Sequence, residues 1–234
     1  MQIVFIAGGL ATRLQPIAET IPKCMMDIAG KPLIEHQIEH FKELGFTEYV
    51  FCLGHLANKV IEYFGDGSKF GVSIKYSVEN EQLGTAGAVK LAKELIKDKF
   101  CVYYADIISK TDFRKTLEQH NSSNSSATIL VHKRTEKSSS KNEINLDGTS
   151  ITKFVEKSET PNEWIFSGIF IAEKDILNLI PDNKKYDFGK EVFPDMIIKS
   201  KKLSAFQHSD FFREIGNPEK YNQANKELRK NQAL

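Results

Sequence analysis

The chain has 234 residues, of which 41% are hydrophobic and 27% charged, a composition typical of a soluble globular protein with one α/β domain or two small ones. The formal net charge of +1 excludes a broad basic surface for nucleic acid, so phosphate binding must depend on local cations. Three widely spaced cysteines without a C-x-x-C pair argue against a disulfide framework or a zinc site. No signal peptide and no membrane-spanning apolar run are visible, so we expect a cytoplasmic protein with no membrane partner.

The first segment of the chain combines a strand pattern with phosphate-binding residue types. Residues 2–6 are an apolar, mostly β-branched run, which predicts a buried parallel strand. Gly8 and Gly9 follow, and glycines at that point let the backbone turn sharply and approach a ligand with its N–H groups. Arg13 and Lys23 then supply two cations. This order predicts a nucleoside triphosphate site.

Apolar periodicity predicts the elements of the first half. Strands are expected at 49–53, 72–76 and 100–104, and helices at 34–44, 60–64 and 84–96. Gly45 is expected to end the first helix. Alternation of strands and helices implies a parallel sheet covered on both faces, with ligands at the carboxyl ends of the strands. Residues 8–13, the segment after Tyr76, and Asp106 all fall at that edge.

The second half is expected to build the other wall of one cleft. Its predicted elements are a polar loop at 121–126, strands at 128–131 and 166–172, a hairpin around Asp147-Gly148, and a helix at 188–199. Residues 135–141 form a second polar segment. A final helix begins at Pro218 with Asn217 as its N-cap. We find no internal repeat and no clear domain boundary.

Residues 8–23 carry a family resemblance. Their pattern, GGLATRLQP…PK, resembles the signature G-G-x-G-T-R-L-x-P…P-K of the sugar-1-phosphate nucleotidylyltransferases (nucleotide-sugar pyrophosphorylases), with Ala11 where a third glycine is usual. The alternative is an ordinary strand-to-helix turn with a surface arginine. The resemblance implies an α/β, Rossmann-like and mostly parallel sheet with helices on both faces, of the GT-A-like kind. It also implies one domain, 1–234, with a nucleotide-binding half at 1–120 and a sugar-phosphate-binding half plus C-terminal helix at 121–234.

A second stretch resembles the family's nucleotide-binding motif. Residues 79–88, ENEQLGTAGA, are similar to E-x-x-x-L-G-T-A-G-A, whose small residues are expected to let the base lie against the backbone. The alternative is an ordinary helix start that glycine makes flexible. Through the resemblance, Arg13 is expected to hold the leaving pyrophosphate and Lys23 to neutralise the α-phosphate. The implied nucleotide-binding residues are Ala7, Gly8, Gly9, Thr12, Arg13, Gln82, Gly84 and Thr85.

The resemblance also implies Mg²⁺ as the cofactor. Asp106 follows an apolar strand, as the family's metal-binding aspartate does, although a loop or N-cap role is the alternative. Residues 213–221, REIGNPEKY, resemble a pattern like D-I-G-T-P-x-x-Y, with Glu214 in place of the aspartate. Glu214 keeps the charge and is one methylene longer.

The sugar phosphate is assigned by two weaker matches. Residues 154–157, FVEK, resemble F-x-E-K, which implies that Glu156 contacts sugar hydroxyls and Lys157 the sugar phosphate. An ordinary solvated Glu–Lys pair is the alternative. Ser167-Gly168 resembles the family's N-x-G step without its amide, which adds Gly168 to the sugar-phosphate site.

The expected reaction joins a nucleoside triphosphate and a sugar 1-phosphate to give a nucleotide-diphospho-sugar and pyrophosphate. An ionised phosphate needs no general base, in keeping with the lack of an obvious catalytic histidine. Among short members of the family, this chain is most similar to the mannose-1-phosphate guanylyltransferases. This similarity favours GTP with a mannose- or heptose-type 1-phosphate over UTP or dTTP with a glucose-type 1-phosphate. A non-sugar acceptor remains an alternative, as does a non-catalytic regulatory homologue, motivated by Ala11, Ala105 and Glu214. A homo-oligomer is compatible with the sequence.

Overall fold

The computed structural model describes residues 1–9, 14, 20–135, 138 and 140–232. Its strands are β1 (Gln2–Ala7), β2 (Asp27–Ile28), β3 (Lys31–Pro32), β4 (Glu48–Leu53), β5 (Ser73–Val78), β6 (Lys99–Tyr104), β7 (Ile107–Ser109), β8 (Ala127–Lys133), β9 (Glu143–Asp147), β10 (Ser150–Val155), β11 (Trp164–Glu173), β12 (Leu203–Gln207) and β13 (Phe212–Glu214). Its α-helices are α1 (Leu33–Glu43), α2 (Ala57–Phe64), α3 (Gly84–Leu91), α4 (Phe113–Ser123), α5 (Phe193–Ile198) and α6 (Pro218–Gln232).

A nine-stranded sheet forms the centre of the molecule, in the order β5-β4-β1-β6-β11-β8-β12-β10-β9. Neighbouring strands are parallel from β5 to β6 and between β8 and β12. β11 is antiparallel to both of its neighbours, and β10 to both of its own. Seven of these nine strands therefore run in one direction, which confirms the expected mostly parallel α/β sheet.

Both faces of the sheet are covered, because side chains alternate along each central strand. Ile3 and Phe5 of β1 pack with the apolar faces of α1, α2 and α4, whereas Val4 packs on the other face with α3 and α5. Two of the cysteines, Cys52 and Cys101, are buried in these cores, as their strand positions predict.

The predicted loop at 121–126 is partly wrong, because α4 continues to Ser123. The Asp112 side chain caps the start of this helix by accepting from the amide of Arg114 at 3.1 Å. At its end, the hydroxyls of Ser122 and Ser123 donate to carbonyl groups three residues earlier, so polar residues close the last turn. Asn124 then leaves the helix with a left-handed φ of 50°.

The C-terminal segment returns to the carboxyl end of β6. β13 pairs with β7, so that Glu214 lies opposite Ile107. The amide of Ile215 donates to the carbonyl of Asp106 at 2.7 Å. α6 follows at once, and its predicted N-cap is confirmed because the amide of Lys220 donates to Asn217 Oδ1 at 2.9 Å. A residue late in the chain thereby reaches the end of a central strand.

The start of α3 is crossed by residues 184–187. The carbonyl of Tyr186 accepts from the amides of Ala86 at 2.9 Å and Gly87 at 3.1 Å. Gly84 has a φ of +72°, and a Cβ there would lie 2.7 Å from the Tyr186 carbonyl oxygen. A Cβ on Gly87 would lie 2.6 Å from the Lys184 carbonyl oxygen. The crossing backbone therefore requires glycine at both positions, and the expectation that these small residues let a base lie against the backbone stays a prediction.

We predict that Gly84→Ala lowers the free energy of unfolding more than Gly148→Ala does. Both glycines have positive φ, but nothing lies within 4 Å of a Cβ at Gly148. The Gly148 variant should lose about 1 kcal/mol from backbone strain alone. The Gly84 variant should lose about 1–3 kcal/mol more from overpacking. Urea unfolding of both variants measures the difference, and equal losses would contradict the crossing contact.

Candidate functional site

Two adjoining cavities open at the carboxyl ends of the central strands. The smaller has a volume of about 370 Å³ and the larger about 1240 Å³. Tyr104 and Asp106, at the end of β6, line both. The position agrees with the edge at which parallel sheets bind ligands.

The smaller cavity collects most of the residues predicted for the nucleotide. Those that line it are Ala7, Gly8, Gly9, Gln82, Gly84 and Thr85, and the predicted catalytic Lys23 and metal-binding Asp106 line it with them. The remaining two predictions for this part, Thr12 and Arg13, lie outside the described residues.

Lys23 and Asp106 form an ion pair on the wall of the smaller cavity. Their Nζ and Oδ2 atoms are 2.6 Å apart, and both side chains are mostly buried. Lys23 opens a short 3₁₀ turn after Pro22, and Asp106 follows β6, so the two charges come from separate elements. A cation and an anion are thus fixed where the two cavities meet.

Glu214 lies next to this pair through the backbone contact between Ile215 and Asp106. Its Oε2 accepts from Lys220 Nζ at 2.7 Å. The side chain lines the larger cavity. Within the described ranges no group of three or more His, Cys, Asp or Glu side chains could hold a metal ion. Mg²⁺ usually takes one or two carboxylates and completes its shell with phosphate oxygens and water, so the metal role expected of Asp106 and Glu214 stays a prediction.

Glu79 is a cavity residue that the motif contained without receiving a role. Its Oε2 accepts from the amide of Leu83 at 3.1 Å, and a Cβ on Gly8 would lie 2.6 Å from its Oε1. Burial raises the pKa of this carboxyl group, although the bond from Leu83 opposes the shift. A side chain on Gly8 would therefore displace the Glu79 carboxyl group from its present position.

Asp187 also lines the smaller cavity, and no motif in the sequence pointed to it. Its Oδ1 accepts from the amide of Thr85 at 3.0 Å and from the Thr85 hydroxyl at 3.3 Å. Burial acts to raise the pKa of Asp187, but hydrogen bonds from Lys190 and Thr85 hold it below its ordinary value. The Thr85 hydroxyl also accepts from the amide of Phe188 at 2.9 Å, so it is already engaged on both sides.

The residues predicted for the sugar phosphate meet in the larger cavity. Glu156, Lys157 and Gly168 line it together with Glu214. Burial raises the pKa of Glu156, and the charge of Lys190 partly opposes this. Gly168 has a φ of +69°, and a Cβ there would collide with the Ile107 side chain. The close packing of β11 against β7 thus requires glycine.

A chain of hydrogen bonds runs from the larger cavity into the core. Ser167 Oγ lies 2.8 Å from His132 Nδ1 and 2.8 Å from His208 Nε2. Burial lowers the pKa of His132 to about 4, with a smaller contribution from His208. Burial also lowers the pKa of His208. Both rings are therefore neutral at pH 7 and can bond to Ser167 without charge repulsion.

The comparisons with known proteins agree on one family. Residues 2–231 match the family described as nucleotidyl transferase. A probable mannose-1-phosphate guanylyltransferase 1 of Oryza sativa subsp. japonica is 35% identical over 94% of this chain and 63% of its own length. A UTP–glucose-1-phosphate uridylyltransferase of Synechocystis sp. is 32% identical over 84% of this chain and 55% of its own length. The chain thus spans about three-fifths of these curated relatives.

Among solved structures, HddC from Yersinia pseudotuberculosis complexed with GMP-PN is 28% identical, with a TM-score of 0.83. The superposition covers 97% of this chain and 99% of that one.

None of the helices in the described part of the chain has the length and apolarity that a membrane crossing needs.

We predict that His132 contributes to the loss of stability in acid. Its pKa falls from an ordinary 6.5 to about 4 in the folded chain, so the unfolded chain binds more protons between these values. Stability should therefore fall as the pH is lowered from 6.5 towards 4. His132→Phe should show a smaller decrease in melting temperature over that interval than wild type, by thermal unfolding at matched pH values. Parallel curves for the two proteins would contradict the buried neutral ring.

Proposed function

The chain belongs to the nucleotidyl transferase family, and we propose that it joins a nucleoside triphosphate to a sugar 1-phosphate with release of pyrophosphate. The observation that carries this proposal is the junction of two cavities at Asp106, with Lys23 on its wall. Each cavity has room for one phosphorylated substrate, and the phosphates of both would meet at the junction.

The reaction is a single displacement at the α-phosphorus. An oxygen of the sugar phosphate bonds to that atom, and the bond to the pyrophosphate oxygen breaks. The attacking phosphate is already ionised, so no proton has to be removed. The protein has to hold two anions together, and Lys23 would offset the charge that develops on the α-phosphate. Arg13 would bind the leaving pyrophosphate, and Lys157 the sugar phosphate.

The division of the chain into two functional halves is supported by the cavity walls. The smaller cavity is lined by residues 1–120 apart from Lys185, Asp187 and Gly216. The larger is lined by residues 121–234 apart from Tyr104, Asp106 and Ile107. We assign the nucleotide to the first half and the sugar phosphate to the second, within one domain that shares a single sheet.

Asp106 and Glu214 would hold Mg²⁺. When bound, the ion would neutralise part of the negative charge of the phosphates. Lys23 and Lys220 form ion pairs with the same two carboxylates, at 2.6 and 2.7 Å. Both carboxylates line the larger cavity, and oxygen donors of this kind suit a hard cation.

The carboxylate of Glu79 favours guanine as the base. Guanine offers an N1–H and an exocyclic amine as neighbouring donors, whereas uracil and thymine offer a single ring N–H. A carboxylate only accepts hydrogen bonds when ionised, so it matches guanine better. The complex of HddC with GMP-PN, together with the plant relative, supports GTP with a mannose- or heptose-type 1-phosphate. UTP or dTTP with a glucose type is the alternative.

Both proposed substrates are small phosphate esters, and we propose that the reaction takes place in the cytoplasm. Neither a nucleic acid nor a membrane is part of this proposal. A homo-oligomer is compatible with it, because the cavities are formed within one chain.

Pyrophosphate release tests the proposed function. The purified chain is incubated with each common nucleoside triphosphate and a panel of mannose, heptose and glucose 1-phosphates, with Mg²⁺ or with EDTA. We expect release with GTP and a mannose- or heptose-type acceptor, and none with EDTA. Triphosphate binding by calorimetry without release from any pair would instead support the regulatory or non-sugar alternatives.

We predict that Lys23→Ala lowers kcat about 10²- to 10³-fold, because it removes a cation aimed at developing charge. Lys31→Ala is the matched control, since Lys31 forms an exposed ion pair with Glu39 and lines neither cavity. Steady-state kinetics and melting temperatures are measured for both variants. A folded Lys23 variant with wild-type turnover would refute the assigned role.

A further inference from the structure

A chain of five polar side chains connects the larger cavity to the protein interior. His132 bonds to Ser167, and Ser167 to His208, each at 2.8 Å. His208 Nδ1 then lies 3.4 Å from Thr111 Oγ1, which is 2.8 Å from Ser109 Oγ. The other four residues are at most 9% exposed, and of these His208 also lines the larger cavity. They come from β7, β11 and the segments that follow β7 and β12.

The hydrogen bonds in this chain depend on one another. A serine hydroxyl has one proton, so Ser167 can donate to only one of its two imidazole partners and must accept from the other. The choice at Ser167 therefore fixes the tautomers of both rings. Thr111 and Ser109 continue this sequence of donors and acceptors into the interior. The amide of Thr111 donates to Ser109 Oγ at 3.2 Å. The buried chain thus orients the ring of His132.

The other ring nitrogen of His132 is directed to the cavity. His132 is only partly buried and lines the larger cavity. No described residue forms a hydrogen bond with Nε2, and that atom is not among the buried polar atoms that lack a partner. Nε2 is therefore accessible from the cleft. Phe212, with ring centroids 4.7 Å apart, supports the ring from the side.

We propose that His132 is a specificity-determining residue that hydrogen-bonds a hydroxyl group of the acceptor sugar through Nε2, with its orientation set by Ser167 and His208. This inference rests on the proposed function and goes beyond it by assigning a residue that no sequence motif contains. The ligand group is a hydroxyl because the imidazole is neutral, and a hydroxyl can donate to or accept from either tautomer. A phosphate would instead be matched by the cations on the same wall.

Substitutions of His132 can separate the roles of its two ring nitrogens. In His132→Asn the side-chain amide replaces Nδ1 and keeps the bond to Ser167, but nothing reaches the cleft. In His132→Gln the amide extends towards the position of Nε2. His120→Gln is the control, because His120 is also a buried ring bonded to a hydroxyl, that of Thr128 at 2.8 Å, and it lines neither cavity.

The experiment measures pyrophosphate release with GTP, UTP and dTTP and with α-D-mannose and α-D-glucose 1-phosphates and their monodeoxy analogues. Wild type should discriminate against the analogue that lacks the bound hydroxyl. His132→Asn should raise KM for the full sugar phosphate about tenfold, leave KM for the triphosphate unchanged, and lose that one discrimination. His132→Gln should restore much of it, and His120→Gln should behave as wild type.

The outcomes distinguish the two claims. Wild-type inactivity with every pair would overturn the proposed function and this inference with it. An active wild type whose His132→Asn variant keeps every discrimination would overturn this inference alone. If the variants do not fold, ¹⁵N NMR of wild-type histidines decides. The favoured sugar 1-phosphate should shift the His132 Nε2 resonance and leave those of His120 in place, and an unmoved His132 resonance would contradict the contact.

Discussion

The arrangement of the site depends on one backbone contact, the hydrogen bond from Ile215 to the carbonyl of Asp106. It holds β13 against β7 and thereby places Glu214 beside a carboxylate more than a hundred residues earlier in the chain. Both side chains line the larger cavity, and each forms an ion pair, Asp106 with Lys23 and Glu214 with Lys220.

Around this centre, the two halves of the chain interlock. Residues 184–187 cross the start of α3, where Tyr186 and Asp187 accept its first amide protons. A segment of the second half thus closes the cavity that the first half forms, and the glycines of α3 are required by that crossing. Tyr104 and Asp106 in turn extend from the first half into the larger cavity. Under the proposed function, the two cavities would hold the two substrates side by side, with their phosphates on either side of Asp106.

The sequence predicted those features that local patterns determine. Strand periodicity and the turn at Gly8 located β1 and the smaller cavity, and Asn217 identified the start of α6. Glu79, Asp187 and the chain from His132 to Ser109 were not assigned, because their roles arise from contacts between residues distant in sequence. Ser167 illustrates the limit, since a serine in a strand has no significance until two histidines from other strands and loops are found beside it.

Under the proposed function, both substrates bind together and react directly, with Lys23 acting as a charge and not as a nucleophile. Exchange of labelled pyrophosphate into the nucleoside triphosphate tests this most directly. If the displacement is direct, exchange requires the sugar 1-phosphate or the nucleotide sugar, because the triphosphate has no other group to react with. Exchange with enzyme, Mg²⁺ and triphosphate alone would show a covalent nucleotidyl-enzyme intermediate and would contradict a direct displacement.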